Sequence, residues 1–344
     1  MKTAPDGTAE PIAIPSDSFK PGLPILNGDT FTPSSNSDSL SSRDYTSNNS
    51  LHDLDALIVG ASWAGIHILH RLRTLGLSVQ LVDACADVGG VWHYTRYPGC
   101  RVDTEIPYYE FSDPALWEKW RWTQRFPARE EVQRYLGWVC DELGLRGSMV
   151  QGVRVQGCQW DEIVGKWKIM GSGGFEATAQ FLLPCSGYST VRYIPDLPGL
   201  ENFEIKFHTS QWPEDLDLRG KRVAVIGTAA SGLQVIESLA KTCGHLTVFQ
   251  RTPNLATPMR QETYSEAEMV GLKKEFPAKF AGRRSTFGFD GGVGRRMSED
   301  SPAQREEVLE GLWQRGGLAF WLGNYSDMLT DAAANAHVYA IRRR

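Results

Sequence analysis

The stretch Asp55-Ala56-Leu57-Ile58-Val59-Gly60-Ala61-Ser62-Trp63-Ala64-Gly65 decides the fold. It opens on a short apolar run that stops at a glycine, the pattern of a buried strand. Beyond Gly65 the apolar residues Ile66, Leu69, Leu72 and Leu75 recur at helical spacing. Gly76 then closes the helix, since glycine accepts the left-handed backbone that ends helices. Ser78-Val79-Gln80-Leu81-Val82-Asp83 reads as a second strand. Strand, glycine turn, helix and strand within about thirty residues make a βαβ unit, whose crossover forces the two strands parallel.

The turn itself has the frame G-x-G-x-x-G. Gly60 makes the tight turn, Gly65 lets helix pack on strand, and the helix N-terminus faces a pyrophosphate. The middle position, where a missing side chain admits phosphate close to the backbone, is Ser62. Asp83 follows Gly60 by 23 residues and ends the second strand, where a carboxylate accepts ribose hydroxyls. An ordinary α/β turn is the competing reading of the glycines alone; the strand-turn-helix context and the acid favour a dinucleotide.

The arrangement recurs 167 residues later, from Gly60 to Gly227. Arg222-Val223-Ala224-Val225-Ile226 runs into Gly227-Thr228-Ala229-Ala230-Ser231-Gly232, a helix follows through Val235, Leu239 and Ala240, and Leu246-Thr247-Val248-Phe249 is the next strand. Ala229 replaces the middle glycine. This second strand ends in Gln250-Arg251-Thr252 rather than an acid. An arginine and a hydroxyl suit a 2′-phosphate, which points to NADPH over NADH, against the plainer reading of Arg251 as a surface arginine.

These two units predict an α/β fold with two Rossmann-like dinucleotide-binding domains, three-layered with mostly parallel sheets. Between them, Val153 to Met170 alternates apolar and polar residues around Asp161-Glu162-Ile163-Val164-Gly165 as a β-hairpin would, and Phe181-Leu182-Leu183 reads as a return strand. The boundaries expected are a disordered Ser/Pro-rich tail over 1–53, a first domain over 54–192, a linker over 193–216 and a second domain over 217–344. Beyond Gln261 the chain is charged and helical, with a flexible stretch from Gly288 to Gly294.

Composition excludes several classes. A net charge of -5 and a pI near 5.9 argue against a nucleic-acid binder, whose footprint is a basic patch. The six cysteines show no Cys-x-x-Cys pair and no zinc-type spacing, so no metal site is expected and reduced cysteines are. Nothing resembles a secretory signal, and no apolar run approaches the ~18 residues of a membrane span, so a cytoplasmic setting is expected. Oligomeric state is not readable.

The segment Gly89-Gly90-Val91-Trp92-His93-Tyr94-Thr95-Arg96-Tyr97-Pro98-Gly99-Cys100-Arg101-Val102-Asp103 resembles the long fingerprint of Baeyer–Villiger monooxygenases, [AG]-G-x-W-x4-[FY]-P-[GM]-x3-D, at every fixed position. Phe207-His208-Thr209-Ser210-Gln211-Trp212-Pro213 is similar to their second fingerprint through its His and Trp-Pro, though one residue short and without its glycine. Val248-Phe249-Gln250-Arg251-Thr252-Pro253-Asn254 also resembles the family's sequence after the second nucleotide strand. The resemblance runs from about Leu54 to Asn335.

It implies FAD at the first turn and NADPH at the second. Gly60, Ser62, Gly65 and Asp83 would hold the ADP half of FAD; Val91, Trp92, Tyr94 and Tyr109 would line the flavin. Asp103 would be the active-site aspartate near flavin and nicotinamide, with Arg101 beside it toward NADP. Thr228, Ser231, Gly232, Gln234, Arg251 and Thr252 would contact NADPH. His208 and Trp212 would couple domain motion to catalysis. The implied reaction is reduction of FAD by NADPH, formation of a flavin C4a-peroxide from O2, and insertion of one oxygen atom into a ketone to give an ester or lactone. The protein supplies orientation and charge, the flavin the chemistry. The style of the sequence points to fungal secondary metabolism. The resemblance also places the family's catalytic arginine, and the remainder of the NADPH domain, beyond Arg344. Two further readings therefore stay open at this point: a shortened homologue that binds nucleotide without turnover, and an uncoupled NADPH oxidase.

Overall fold

In a computed structural model of the chain, the residues described are 52–189, 191–203, 205–254, 256–283 and 292–341. The expected tail lies outside them apart from its last two residues, and the expected flexible stretch lies outside them as far as residue 291. Strand β1 (His52–Val59), helix α1 (Trp63–Thr74) and strand β2 (Val79–Asp83) form the predicted βαβ unit, with Val59 opposite Val82 in a parallel ladder. β1 starts two residues before the boundary drawn at Leu54. Asp53 has a reason to join the sheet: its carboxylate accepts from Thr178 at 3.0 Å and pairs with Lys166.

Short helices α2 (Val91–Tyr94) and α3 (Pro114–Trp117) lead to the longer α4 (Arg129–Glu142). Strands β3 (Met149–Gln151), β4 (Val155–Asp161), β5 (Lys166–Gly171) and β6 (Glu176–Pro184) complete a six-stranded sheet in the order β3-β2-β1-β6-β5-β4. The pairs among β3, β2, β1 and β6 are parallel; β6-β5-β4 is antiparallel. The predicted hairpin is β4–β5, where Trp160 faces Trp167 edge to face at 5.6 Å. The predicted return strand is β6, with Leu182 opposite Leu57.

One side of this sheet buries Ile58 and Leu81 against Ile66 and Leu69 of α1 and Val132, Leu136 and Val139 of α4. Spacing of four and three residues puts those side chains on one face of each helix. On the other side Leu57 and Val82 pack with Ile169, Ala177 and Ala179, which come from strands rather than from a helix. Each such large aliphatic side chain contributes about 1.5–3 kcal/mol on full burial.

The second βαβ unit is β7 (Arg222–Ile226), α5 (Ala230–Leu239) and β8 (His245–Phe249), parallel with Ile226 opposite Phe249. Its sheet has only these two strands among the described residues. Ile226 is 62% exposed and Phe249 56%, whereas Leu57 and Ile58 of β1 are wholly buried.

Helices α6 (Glu266–Lys273), α7 (Phe276–Gly282), α8 (Pro302–Arg315), α9 (Ala319–Leu322) and α10 (Ala332–Ile341) follow. Sequence order groups all of them with the second unit, but Met269 and Phe276 are buried in the core of the first. Phe276 meets Trp117 at 5.9 Å, and Lys273 donates to the carbonyls of Glu118 and Trp120. Helices α8 to α10 form their own small core around Leu309, Phe320, Met328 and Val338. No helix among the described residues is long and apolar enough to cross a membrane.

Candidate cofactor sites at the two glycine turns

Gly60 has φ +113°, and a Cβ there would lie 2.4 Å from the carbonyl oxygen of Cys185. Two separate constraints, the left-handed backbone and the close approach of the chain leaving β6, thus demand glycine. A Cβ on Gly65 would fall 1.8 Å from the Gly60 carbonyl oxygen, so this glycine lets α1 start against the strand end. Ser62, at the middle position, makes no capping bond to α1. Its hydroxyl instead donates to the Gly89 carbonyl at 3.1 Å. Gly90 (φ +56°) faces it: a Cβ there would lie 2.9 Å from that of Ser62. Glycine across the turn thus leaves room for the Ser62 side chain. The first-turn amides of α1 carry no side-chain cap, which suits an anion at the helix N-terminus.

Asp83 is 8% exposed. Its Oδ2 accepts from Ala61 N–H at 2.6 Å and its Oδ1 from Cys85 N–H at 2.7 Å. The carboxylate therefore ties the end of β2 to the turn, with lone pairs left over for hydroxyl donors. Trp92 Nε1 donates to the Tyr109 hydroxyl at 2.9 Å, and the two rings meet edge to face at 5.6 Å. Burial pushes the Tyr109 phenol up to about 12. Val91 is 36% exposed on α2, and Tyr94 closes the same helix, half-buried. Asp103 is exposed, its Oδ1 accepting from Thr104 at 3.2 Å. The Arg101 guanidinium points to Gln124 and the Phe126 carbonyl, both at 3.4 Å.

At the second turn Gly227 also has a positive φ, +97°, but a Cβ there would meet nothing within 4 Å. A Cβ on Gly232 would fall 2.4 Å from the Gly227 carbonyl oxygen. Ala229 precedes α5 and gives it no side-chain cap. The Thr228 hydroxyl accepts from Gln250 Nε2 at 2.7 Å, Ser231 is half-buried, and Arg251 and Thr252 lie exposed just past β8. Gln234 sits one turn further along α5 and faces the first unit. Its Oε1 accepts from the Tyr97 hydroxyl at 2.8 Å and from Arg101 N–H at 3.4 Å; its Nε2 donates to the Arg101 carbonyl at 3.2 Å.

His208 Nδ1 accepts from Ser210 N–H at 3.1 Å, and burial holds its imidazole below the usual histidine value. Trp212 packs against a buried cluster made of Tyr97 and Cys100 from the first unit and Val235 and Leu239 from the second. The six cysteines are free, and the described residues contain no cluster of His, Cys, Asp and Glu able to hold a metal. Sequence reasoning overlooked Cys185, Gly90, Tyr97 and Gly99. The last three lie inside the quoted fingerprint and were findable there; Cys185 carries no signal beyond ending the return strand.

Residues 54–275 match the family model described as pyridine nucleotide-disulphide oxidoreductase, and the chain belongs to that family. It is 40% identical over 301 residues to cyclopentanone 1,2-monooxygenase of Comamonas, covering 86% of this chain and 55% of that protein. It is 38% identical to the FAD-binding monooxygenase VdtE of Byssochlamys spectabilis, covering 83% and 52%. Cyclohexanone monooxygenase from Rhodococcus sp. Phi1, solved bound to NADP+, superposes with a TM-score of 0.80 at 32% identity over 86% of this chain and 56% of that one. The resemblance to Baeyer–Villiger monooxygenases read from the fingerprints is borne out, as is the α/β fold class. The chain spans about half the length of the curated relatives it matches.

Proposed function

We propose that the chain binds FAD at the Gly60 turn and NADPH at the Gly227 turn, as part of a monooxygenase that inserts one oxygen atom of O2 into a ketone, giving an ester or lactone. In this reading residues 54–192 hold FAD, 193–216 link, and 217–344 contribute to NADPH binding. The observation that carries it is the cradle at Gly60 and Gly65, which any Cβ would fill, set before an uncapped helix of 12 residues. A diphosphate fits there because first-turn amides and the helix dipole both favour negative charge.

Bound FAD would supply the redox chemistry, taking reducing equivalents from NADPH and activating oxygen. The protein's residues bind and orient. Gly60, Ser62 and Gly65 shape the phosphate turn, and Asp83 stiffens it through Ala61 and Cys85 while offering lone pairs to a ribose. Val91, Trp92, Tyr94 and Tyr109 form an aromatic and apolar wall for the flavin ring, with the indole N–H already donated to the Tyr109 phenol oxygen. Asp103 offers an exposed carboxylate at the end of the fingerprint loop, the group proposed to touch cofactor, with Arg101 alongside. Thr228, Ser231 and Gly232 line the second phosphate turn. Arg251 and Thr252, exposed beyond β8, would take the 2′-phosphate that distinguishes NADPH. Trp212, shared between both units, and His208 beside it support a coupling role. Free cysteines fit a cytoplasmic setting.

The test is purification of the chain, a visible spectrum, anaerobic reduction by NADPH against NADH, and product analysis with a panel of cyclic and linear ketones. A yellow protein bleached preferentially by NADPH, with ester or lactone formed, supports the reading. Colourless protein that takes up no added FAD overturns it, and NADPH consumption yielding peroxide alone would replace it with an oxidase.

A further inference from the structure

The fingerprint loop and helix α5 meet more closely than the phosphate turns require. Gly99 has φ +82°, and a Cβ there would fall 2.2 Å from Ser238 Oγ and 2.9 Å from the Gln234 carbonyl oxygen. Glycine at this position of the fingerprint is thus explained by the passage of α5. Beneath the contact Tyr97 and Cys100 are buried with Val235 and Leu239, at 7%, 8%, 2% and 5% exposure. Over this apolar base lies the Gln234 amide. Its oxygen takes both the Tyr97 hydroxyl and the Arg101 N–H, and its nitrogen donates to the Arg101 carbonyl. Both lone pairs and one of two N–H groups are therefore spent on the loop.

We infer that Gln234 is a positioning residue which, with Tyr97, clasps the fingerprint loop to α5 and so sets Arg101 and Asp103 relative to a nucleotide held at the start of that helix, rather than contacting the nucleotide itself. This rests on the proposed reading that the N-terminus of α5 receives NADPH. The geometry explains the coupling. Ser231 and Gly232 occupy the first turn of α5 and Gln234 the next, so the helix is one rigid arm with the phosphate turn at one end and the loop backbone pinned one turn along. Asp103 lies two residues beyond the pinned peptide of Arg101. A loosened clasp would leave the dinucleotide's phosphates in place and let the aspartate wander at the reacting end, where small misplacements are costly in rate.

Three variants of the full chain test this: Gln234→Leu, which removes both polar ends at similar size; Gln234→Glu, which keeps the acceptor for Tyr97 but sets a carboxylate oxygen against the Arg101 carbonyl; and Tyr97→Phe. The first readout needs no cofactor: amide hydrogen exchange at Cys100, Arg101 and Val102. Exchange should quicken about tenfold in Gln234→Leu and at least as much in Gln234→Glu, and less in Tyr97→Phe, as loss of one or two net hydrogen bonds dictates. The second is NADP+ binding by equilibrium titration, expected to change less than about threefold, while the rate of flavin reduction by NADPH falls on the order of tenfold. Unchanged exchange in both Gln234 variants overturns the clasp. Unchanged exchange with NADP+ affinity down tenfold or more shows Gln234 to be a nucleotide ligand instead. Should wild-type chain bind no NADP+, the functional reading fails while the exchange measurement still decides whether the clasp exists.

Discussion

The two glycine turns share a backbone but not a setting. Gly60 and Gly227 both have positive φ, and Gly65 and Gly232 both sit too close to the preceding turn carbonyl for any side chain. Around the first turn, however, a six-stranded sheet closes on both faces, and the end of β6 comes to within contact of Gly60. Around the second, two strands stand with Ile226 and Phe249 more than half exposed, and a Cβ on Gly227 would meet nothing within 4 Å among the described residues. Turn geometry is local and is set by the motif. The tolerance of the turn to change depends on neighbours that come from far along the chain.

The largest predicted effect follows from that contrast. Gly60→Ala must displace the Cys185 backbone as well as hold an unfavourable φ, and should cost more than about 3 kcal/mol and abolish flavin retention. Gly227→Ala faces only the backbone penalty, about 1–2 kcal/mol. Chemical denaturation of both variants beside wild type reads the difference; equal losses would break the comparison.

Close packing in the first unit also buries a carboxyl group. Glu110 is 4% exposed, its carboxyl group set beside the Trp122 indole. Burial raises its pKa from 4.5 to about 8, offset in part by Trp122, Lys273 and Arg283. Between those two values the folded chain keeps a proton that the unfolded chain releases, so this group makes stability fall as pH rises through the window. Glu110→Gln should therefore remove that slope and gain a few kcal/mol over wild type at pH 8 relative to pH 5. Parallel stability-pH curves for the two proteins would contradict the burial argument.

The smallest effect on the fold belongs to the open unit. Arg251 is exposed, so Arg251→Gln should leave stability within about 0.5 kcal/mol of wild type. The preference for NADPH over NADH should drop about tenfold, the factor of a lost charge-assisted contact. Competitive titration with the two nucleotides measures it.

Much of this was readable from the residues alone. Both βαβ units, the β4–β5 hairpin and the return strand followed from period and turn residues, because each is decided within about thirty positions. The fingerprint singles out Trp92 and Asp103 as candidates by order, and Tyr109 follows six positions beyond it. What sequence could not reach were contacts between distant segments. Ser62 stands where the turn motif has glycine, and only the structure shows Gly90 opposite it, making room for its side chain. Gln234 read as a nucleotide contact from its motif position, yet its side chain is directed at Tyr97 and Arg101, 137 and 133 residues away. Helices α6 and α7 follow the second unit in sequence but bury Met269 and Phe276 in the first, a choice made by Trp117 and its neighbours rather than by any local period.

The central claim is that the two turns divide the cofactors between them, FAD at Gly60 and NADPH at Gly227. Titration of FAD into the purified chain, into Gly65→Ala and into Gly232→Ala tests it most directly. Saturable binding of one FAD by wild type and Gly232→Ala, lost in Gly65→Ala, is the predicted result; FAD binding that survives in Gly65→Ala, or disappears equally in Gly232→Ala, would contradict it.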